Sequence, residues 1–257
     1  MSKKNKIYFI SDLHLGAPAL NDNRERELLF VKWLDEIKTD ARQLYLMGDI
    51  FDYWFEYKKV VPRGFTRALG KIAELSDSGI EVHYFTGNHD VWVFDYLPEE
   101  LGLTLHTKEF RTEIDGKKFF LAHGDGLDPT DKDYNFLKKL FVNKFLQWMY
   151  ARLHPNFTIS FAHAWSKKSR ISKGFVSEMI NPEKEGLYQF AKSILGKEYF
   201  DYFVFGHRHV LANIPVGDKS EFILLGDWIK TFSYGIFDGE EFELKTYNVE
   251  QLHKAAK

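Results

Sequence analysis

The sequence predicts an α/β sandwich of two mixed β-sheets flanked by helices, with a helical insertion capping one edge, on three observations. Five short β-prone runs each end in a polar or glycine-marked turn. Helix-period stretches separate the early runs, and the tail reads as strands joined by a tight turn. One domain spanning 1–257 is expected, because 257 residues with 44% hydrophobic and 17% aromatic content supply one sizeable core.

The β-prone runs are 6–11 (KIYFIS), 43–47 (QLYLM), 80–86 (IEVHYFT), 118–122 (KFFLA) and 201–205 (DYFVF). Arg24 to Lys38 has helical period, with Leu28, Leu29, Trp33, Leu34 and Ile37 on one face, and Thr66 to Ser76 forms a second helix ending before Gly79. Strands alternating with helices predict a βαβ start with parallel pairing. In the tail, FILLGDW and FSYGIFDGEEFELKTYNV read as strands, the last two joined by a D-G turn.

Residues 132–176 stand apart. They hold nine Lys or Arg against one acid, Asp133, a segment charge of +8 against about −10 for the rest of a chain whose formal charge is −2. Phe136, Leu137, Leu140, Phe141, Phe145, Leu146, Trp148 and Met149 form an apolar face at helical spacing beside a polar stripe of Asn135, Lys139, Asn143 and Gln147. A packed amphipathic helix is the ordinary reading of such a pattern. Basic residues mixed with aromatics in an inserted segment point to a helical cap over an active site.

The bulk numbers also exclude. A near-neutral chain is not a nucleic-acid-coating protein. The chain has no cysteine, so disulfide scaffolds and thiolate zinc sites are ruled out, and any metal is held by oxygen and nitrogen. The N-terminal apolar run stops at Asp12, too short for a signal-peptide core, and no run reaches 18 apolar residues. A cytoplasmic or membrane-surface protein is the expectation.

Five turns carry ligand-type residues directly after predicted strands: Asp12-Leu13-His14, Gly48-Asp49, Gly87-Asn88-His89-Asp90, His123-Gly124-Asp125 and Gly206-His207-Arg208-His209. Ligands collect at the carboxyl ends of strands in open α/β sheets, so turns far apart in sequence can converge on one rim. Glycine beside a ligand permits a sharp turn and close approach, and D-x-H or H-x-H places two side chains on one side of an extended segment. Histidine with carboxylate and amide oxygen suits manganese, iron or zinc pairs.

This ordered set, from Asp12 to His209, resembles the signature of the calcineurin-like metallophosphoesterases. The resemblance implies two divalent metal ions, most readily Mn²⁺, with iron or zinc as alternatives: one site of Asp12, His14 and His209, a second of Asn88, His123 and His207, and Asp49 bridging. It implies hydrolysis by a water activated between the cations, with His89 near the leaving oxygen, and Asp49, Asn88 and His89 as catalytic residues. Asp90 is expected to orient His89. His83, His106, His154, His163 and His253 match no motif and are expected in the core or on the surface.

Within the superfamily the chain looks most like the UDP-2,3-diacylglucosamine hydrolases of lipid A biosynthesis. This closer likeness rests on ISDLHLG, GDIFDYW, HGDGLDPTD and the segment Ser166-x-x-x-Arg170-x-x-Lys173. It implies substrate contacts at Asn88, His89, Asp131, Ser166, Arg170, Lys173 and His207, and cleavage of a lipid nucleotide to UMP and an acyl-sugar phosphate. Two positions depart: His89 stands where well-known members carry Arg, and Arg170 where they carry Asn. The Arg170 guanidinium can bind a phosphate bidentately in compensation. The apolar cap and its basic residues suit acyl chains and anionic headgroups, so peripheral attachment to the cytoplasmic face of an inner membrane is expected, with no nucleic acid and no obligate protein partner. A phosphodiesterase or phosphatase acting on another small phosphoester is the alternative. A nuclease is disfavoured because the basic cluster is confined to one segment. A metal-free interaction scaffold is disfavoured because every ligand position is filled.

Overall fold

Alternation along the first strand sets the layers. In β1 (Lys6–Ile10), Ile7 and Phe9 point to one face of the sheet while Tyr8 and Ile10 point to the other, and all four are buried. A strand buried on both faces must lie between two layers. The computed structural model describes residues 5–173 and 181–247, with the backbone alone over 167–173.

β1 pairs in parallel with β2 (Ala41–Leu46), β2 with β3 (Glu81–Phe85), and β3 with β4 (Thr104–His106). The connections are α1 (Asn23–Ile37), α2 (Thr66–Asp77) and α3 (Tyr96–Leu101). A second sheet is built from β5 (Phe110–Ile114), β6 (Lys117–Ala122), β7 (Tyr202–Phe205), β8 (Leu211–Val216) and β9 (Ser220–Leu225), in the order β5-β6-β7-β9-β8 with β6, β7 and β9 parallel. The tail strands β10 (Ser233–Phe237) and β11 (Phe242–Thr246) return to the first sheet, where β10 pairs antiparallel with β1. The expected sandwich of two mixed sheets is therefore present.

Ile7, Phe9, Tyr45, Met47, Phe119, Leu121, Val204, Ile223 and Phe237 fill the space between the sheets. Tyr8, Ile10, Leu44 and Leu46 face the helix layer, where Leu29, Phe30, Trp33, Leu34 and Ile37 of α1 meet them. Leu28, read from the sequence as part of that apolar face, is exposed, and Phe30 takes its place. Burying each such large side chain contributes about 1.5–3 kcal/mol against the entropy of ordering it. The outer face of the second sheet packs on α7 (Gly186–Leu195) through Leu187 and Ala191.

Between β6 and α7 the chain forms α4 (Lys132–Phe141), α5 (Lys144–Tyr150) and α6 (Pro155–Lys173). The single apolar face read from 136 to 149 is broken into two helices. Asn143, placed by its spacing in a polar stripe, instead caps α5, its side chain accepting from the N–H groups of Phe145 and Leu146. Phe136, Phe145, Trp148 and Phe157 remain 65%, 64%, 54% and 63% exposed, so much of the apolar surface faces away from the core. The inner side is anchored: Trp92 donates its indole N–H to the Phe141 carbonyl, and the Tyr53 and Tyr150 hydroxyls lie 3.0 Å apart.

Candidate metal centre

Six parallel strands, three from each sheet, end along one rim, and each is followed by a turn carrying an acid, an amide or a histidine. Asp12 and His14 follow β1, Asp49 follows β2, Asn88 and His89 follow β3, His123 follows β6, His207 and His209 follow β7, and Asp227 follows β9. Among the described residues eight non-glycine residues have positive φ, and five of them are Asp12, His14, Asp49, His207 and His209. Left-handed backbone costs a branched-off side chain roughly 1 kcal/mol or more, so its concentration here is strain held by the surrounding structure. Gly87 and Gly206 leave the necessary room: a Cβ on Gly87 would collide with the Asp49 carboxylate, and one on Gly206 with Ser11 and Asp12.

All seven expected ligand side chains converge. His14 Nε2 lies 3.7 Å from Asp12 Oδ1, 3.6 Å from Asp49 Oδ2 and 3.3 Å from His209 Nε2. His209 Nε2 lies 3.5 Å from Asp12 Oδ1. On the other side His123 Nε2 is 3.4 Å from Asp49 Oδ2, and His207 Nδ1 is 2.9 Å from Asn88 Oδ1. One oxygen of Asp49 thus faces a histidine from each half. Asp12, His14 and His209 form one group able to hold an ion and Asp49, His123 and His207 another; His89 joins His14 and Asp49 in a third.

The second nitrogen of several histidines is fixed by a partner that the motifs did not name. His123 donates Nδ1–H to the Met47 carbonyl at 2.8 Å, which turns Nε2 toward Asp49. His209 directs Nδ1 to Asp227 Oδ2 at 3.3 Å, and His89 donates Nδ1–H to the Asp52 carbonyl at 2.9 Å. Asp52 Oδ1 lies 3.4 Å from His14 Nδ1. Asp227 and Asp52 are both buried, and neither was given a role from the sequence, although Asp52 lies within GDIFDYW. Each had a faint signal: Asp227 belongs to a G-D after a strand, like Gly48-Asp49, and Asp52 lies three residues beyond Asp49.

Charge is concentrated out of water. Burial alone would raise the Asp12 and Asp49 carboxyls, yet His209 beside Asp12, and His123 and His89 beside Asp49, hold both well below the usual carboxylate range. Burial depresses His123, but Asp49 outweighs it and the ring is raised to about 10. His207, buried and next to the charge on His123, is pushed down to about 4. Among the described residues Asp12 Oδ1 and His123 Nε2 are buried without a hydrogen-bond partner. Buried polar atoms left so are costly unless a cation meets them, and the hard oxygen and nitrogen donor set fits divalent ions.

Comparison with known proteins agrees with this geometry: residues 5–211 match the calcineurin-like phosphoesterase family. The chain belongs to that family. It is 42% identical over 256 residues, 95% of this chain and 98% of the relative, to a UDP-2,3-diacylglucosamine hydrolase of Porphyromonas gingivalis. It is 29% identical over 89% of its length to one from Histophilus somni, covering 94% of that protein, and 27% identical over 88% to one from Haemophilus influenzae, covering 92%. Family membership makes the chain a hydrolase and implies divalent metal ions, which the residues present fit.

Around the centre of this phosphoesterase, the expected substrate contacts fall in different places. Asn88, His89 and His207 line it. Ser166, on α6, donates its hydroxyl to Asp52 Oδ2 at 2.7 Å, so this helix reaches the acid that faces His14 and His89. Asp131 is exposed and caps α4, accepting from the Tyr134 N–H. The side chains of Arg170 and Lys173 lie outside the described residues, as does His253. One expectation is overturned: Asp90 does not touch His89. It is completely buried and accepts from the N–H groups of Gly87, Ile50 and Asp49 and from the Tyr84 hydroxyl. Its work is to bind the two ligand turns together, and the Asp52 carbonyl orients His89 in its place. Tyr134 and Lys138 of α4 reach Asp125 Oδ2 at 2.7 and 2.8 Å, tying this helix to the turn that carries His123.

Proposed function

We propose that this phosphoesterase hydrolyses the pyrophosphate of UDP-2,3-diacylglucosamine, releasing UMP and 2,3-diacylglucosamine 1-phosphate. The observation that carries the reading is the 42% identity to a hydrolase of that name, over 95% of this chain and 98% of the relative. The helical insertion supports it, because an amphiphilic substrate needs apolar shelter beside a polar centre.

Asp12, His14 and His209 would hold one cation, Asn88, His123 and His207 a second, and Asp49 both, with Mn²⁺ favoured over iron or zinc. When bound, the pair supplies Lewis acidity toward a water and the phosphoryl oxygens. The protein's own groups do the rest. Asp52, Asp227 and the Met47 carbonyl fix the histidine tautomers, so ring nitrogens face inward before substrate arrives. His89, held through Nδ1, has Nε2 left to meet charge on the departing oxygen, and a protonated ring there donates a proton to it. Asn88 and His207 position the phosphate.

Helices α4 to α6, within 132–176, act as a lid whose apolar side chains cover the acyl chains and whose basic residues meet anionic groups. The enzyme works at the cytoplasmic face of a membrane without crossing it. Among the described residues no helix is long and apolar enough to cross one. Turnover of UDP-2,3-diacylglucosamine by purified protein with Mn²⁺, beside a chromogenic phosphodiester, is the test. Much faster release of UMP from the lipid nucleotide is expected. Hydrolysis of the phosphodiester alone would keep the metal chemistry and overturn the substrate.

A further inference from the structure

Two cavities flank the centre. The first, about 400 Å³, lies against His123 and Asp125 and is closed by α4 and α5; Phe85, Val91, Val93, Phe94, Leu127 and Val142 make its wall largely apolar. The second, about 700 Å³, lies on the His14 side, beginning at Leu15 and Gly16 and running beneath the N-terminal half of α6. Its wall carries Arg24, Arg63 and Arg67, with Tyr53, Phe65 and His163.

Three features of the second cavity point to an anionic, aromatic ligand. Among the described residues, none of the three guanidinium groups has an ion pair or a side-chain hydrogen bond. The one acid in the wall, Glu27, already accepts from the backbone N–H groups of Arg67 and Ala68. Uncompensated arginines facing one space raise its potential and offer forked donors to a phosphate. Phe65, half-buried in the wall, supplies an aromatic ring against which a base can pack. On α6, Asn156, Ile159, Ser160 and His163 line the cavity, and Ser166, which reaches Asp52 at the centre, continues that face three residues on. Helix α6 therefore spans from the cavity to the centre, about 9 Å from Ser160 to Ser166 at 1.5 Å per residue.

Given a substrate with a lipid half and a nucleotide half, we propose that this arginine-walled cavity is the subsite for the nucleotide half, a pyrimidine nucleoside phosphate. This assignment rests on the lipid-nucleotide reading above, and its test is separable from it.

The experiment is calorimetric titration of UMP into the full-length, Mn²⁺-loaded protein, with uridine and inorganic phosphate as companion probes. The Arg63→Ala/Arg67→Ala double variant is expected to bind UMP about tenfold or more weakly, with phosphate and uridine each weaker than UMP in the wild type. Arg63→Lys/Arg67→Lys should recover part of the affinity, because charge returns without the fork. Both arginines are exposed, so an unchanged melting temperature is expected and separates lost binding from lost fold. UMP affinity within twofold of wild type in the alanine variant, or no measurable UMP binding by the wild type, would overturn the assignment. Failure of the wild type to hydrolyse the lipid nucleotide while UMP binding still depends on these arginines would sink the substrate reading and leave the subsite standing.

Discussion

Asp49 Oδ2 sits 3.6 Å from His14 and 3.4 Å from His123, so a single oxygen joins the two halves of the centre. Asp49→Asn keeps the shape and removes the charge that outweighs desolvation at His123. Turnover is expected to fall below about a tenth of wild type, and a variant retaining more would defeat a two-ion site joined by this residue. Asp227 tests a different link, because it acts through His209 rather than on substrate. In Asp227→Asn the carboxylate that fixes the His209 tautomer is gone, and affinity for Mn²⁺ should weaken roughly 10- to 100-fold. Titration calorimetry reads that directly; unchanged affinity would make Asp227 a structural residue of the turn it caps through the N–H groups of Ile229, Lys230 and Thr231.

At the scale of elements, α4 and α5 carry a face that the core does not cover. Trp148 is 54% exposed on α5, so Trp148→Asp should leave the fold intact. If that face shelters acyl chains, losing the tryptophan surface that they would cover, worth about 1.5–3 kcal/mol, raises KM for the diacylated substrate about tenfold or more, with the soluble phosphodiester unaffected. Equal losses on both substrates would remove the lid from acyl binding. The strand ends and the acids, amide and histidines that follow them were legible in the sequence because each combines a β-prone run with a glycine or a polar stop, a local signal needing no partner. The break at Asn143 was not, since apolar spacing continues through it and only the side-chain cap on Phe145 and Leu146 ends one helix and starts the next. Asp90 was misread for a related reason. Adjacency to His89 implied contact, but its oxygens turn away to gather N–H groups from 40 residues earlier. Asp52 and Asp227 act through partners distant in the chain or on a neighbouring turn, and periodicity carries no trace of such pairings.

For the whole molecule, the centre concentrates buried charge that an ion neutralises, and folding is therefore linked to metal. Mn²⁺ at about a hundred times its dissociation constant should add about 2.7 kcal/mol per site, a rise of several degrees in Tm relative to chelator-treated protein. Absence of any shift would mean that ions do not prefer the folded state. A second linkage lies away from the centre, in the layer behind β3. His83 Nδ1 and His106 Nε2 are 3.0 Å apart, His83 stacks on Tyr45, and His106 on Phe85 and Phe110. Only one of those two nitrogens can carry the shared proton. Burial depresses both rings, and the neighbouring His83 adds to the effect on His106, which is pushed down to about 4. An unfolded histidine titrates near 6.5, so between about pH 6.5 and 4 the unfolded chain binds the proton that the folded pair refuses. The stability contributed by the neutral pair is complete above pH 6.5 and is lost as pH falls toward 4. Denaturant unfolding of chelator-treated protein at pH 7.5 and pH 5 should therefore show a larger acid loss in the wild type than in His106→Phe, which keeps the ring contacts and cannot take up the proton. Parallel losses in the two proteins would place the acid sensitivity in the carboxylates of the centre instead.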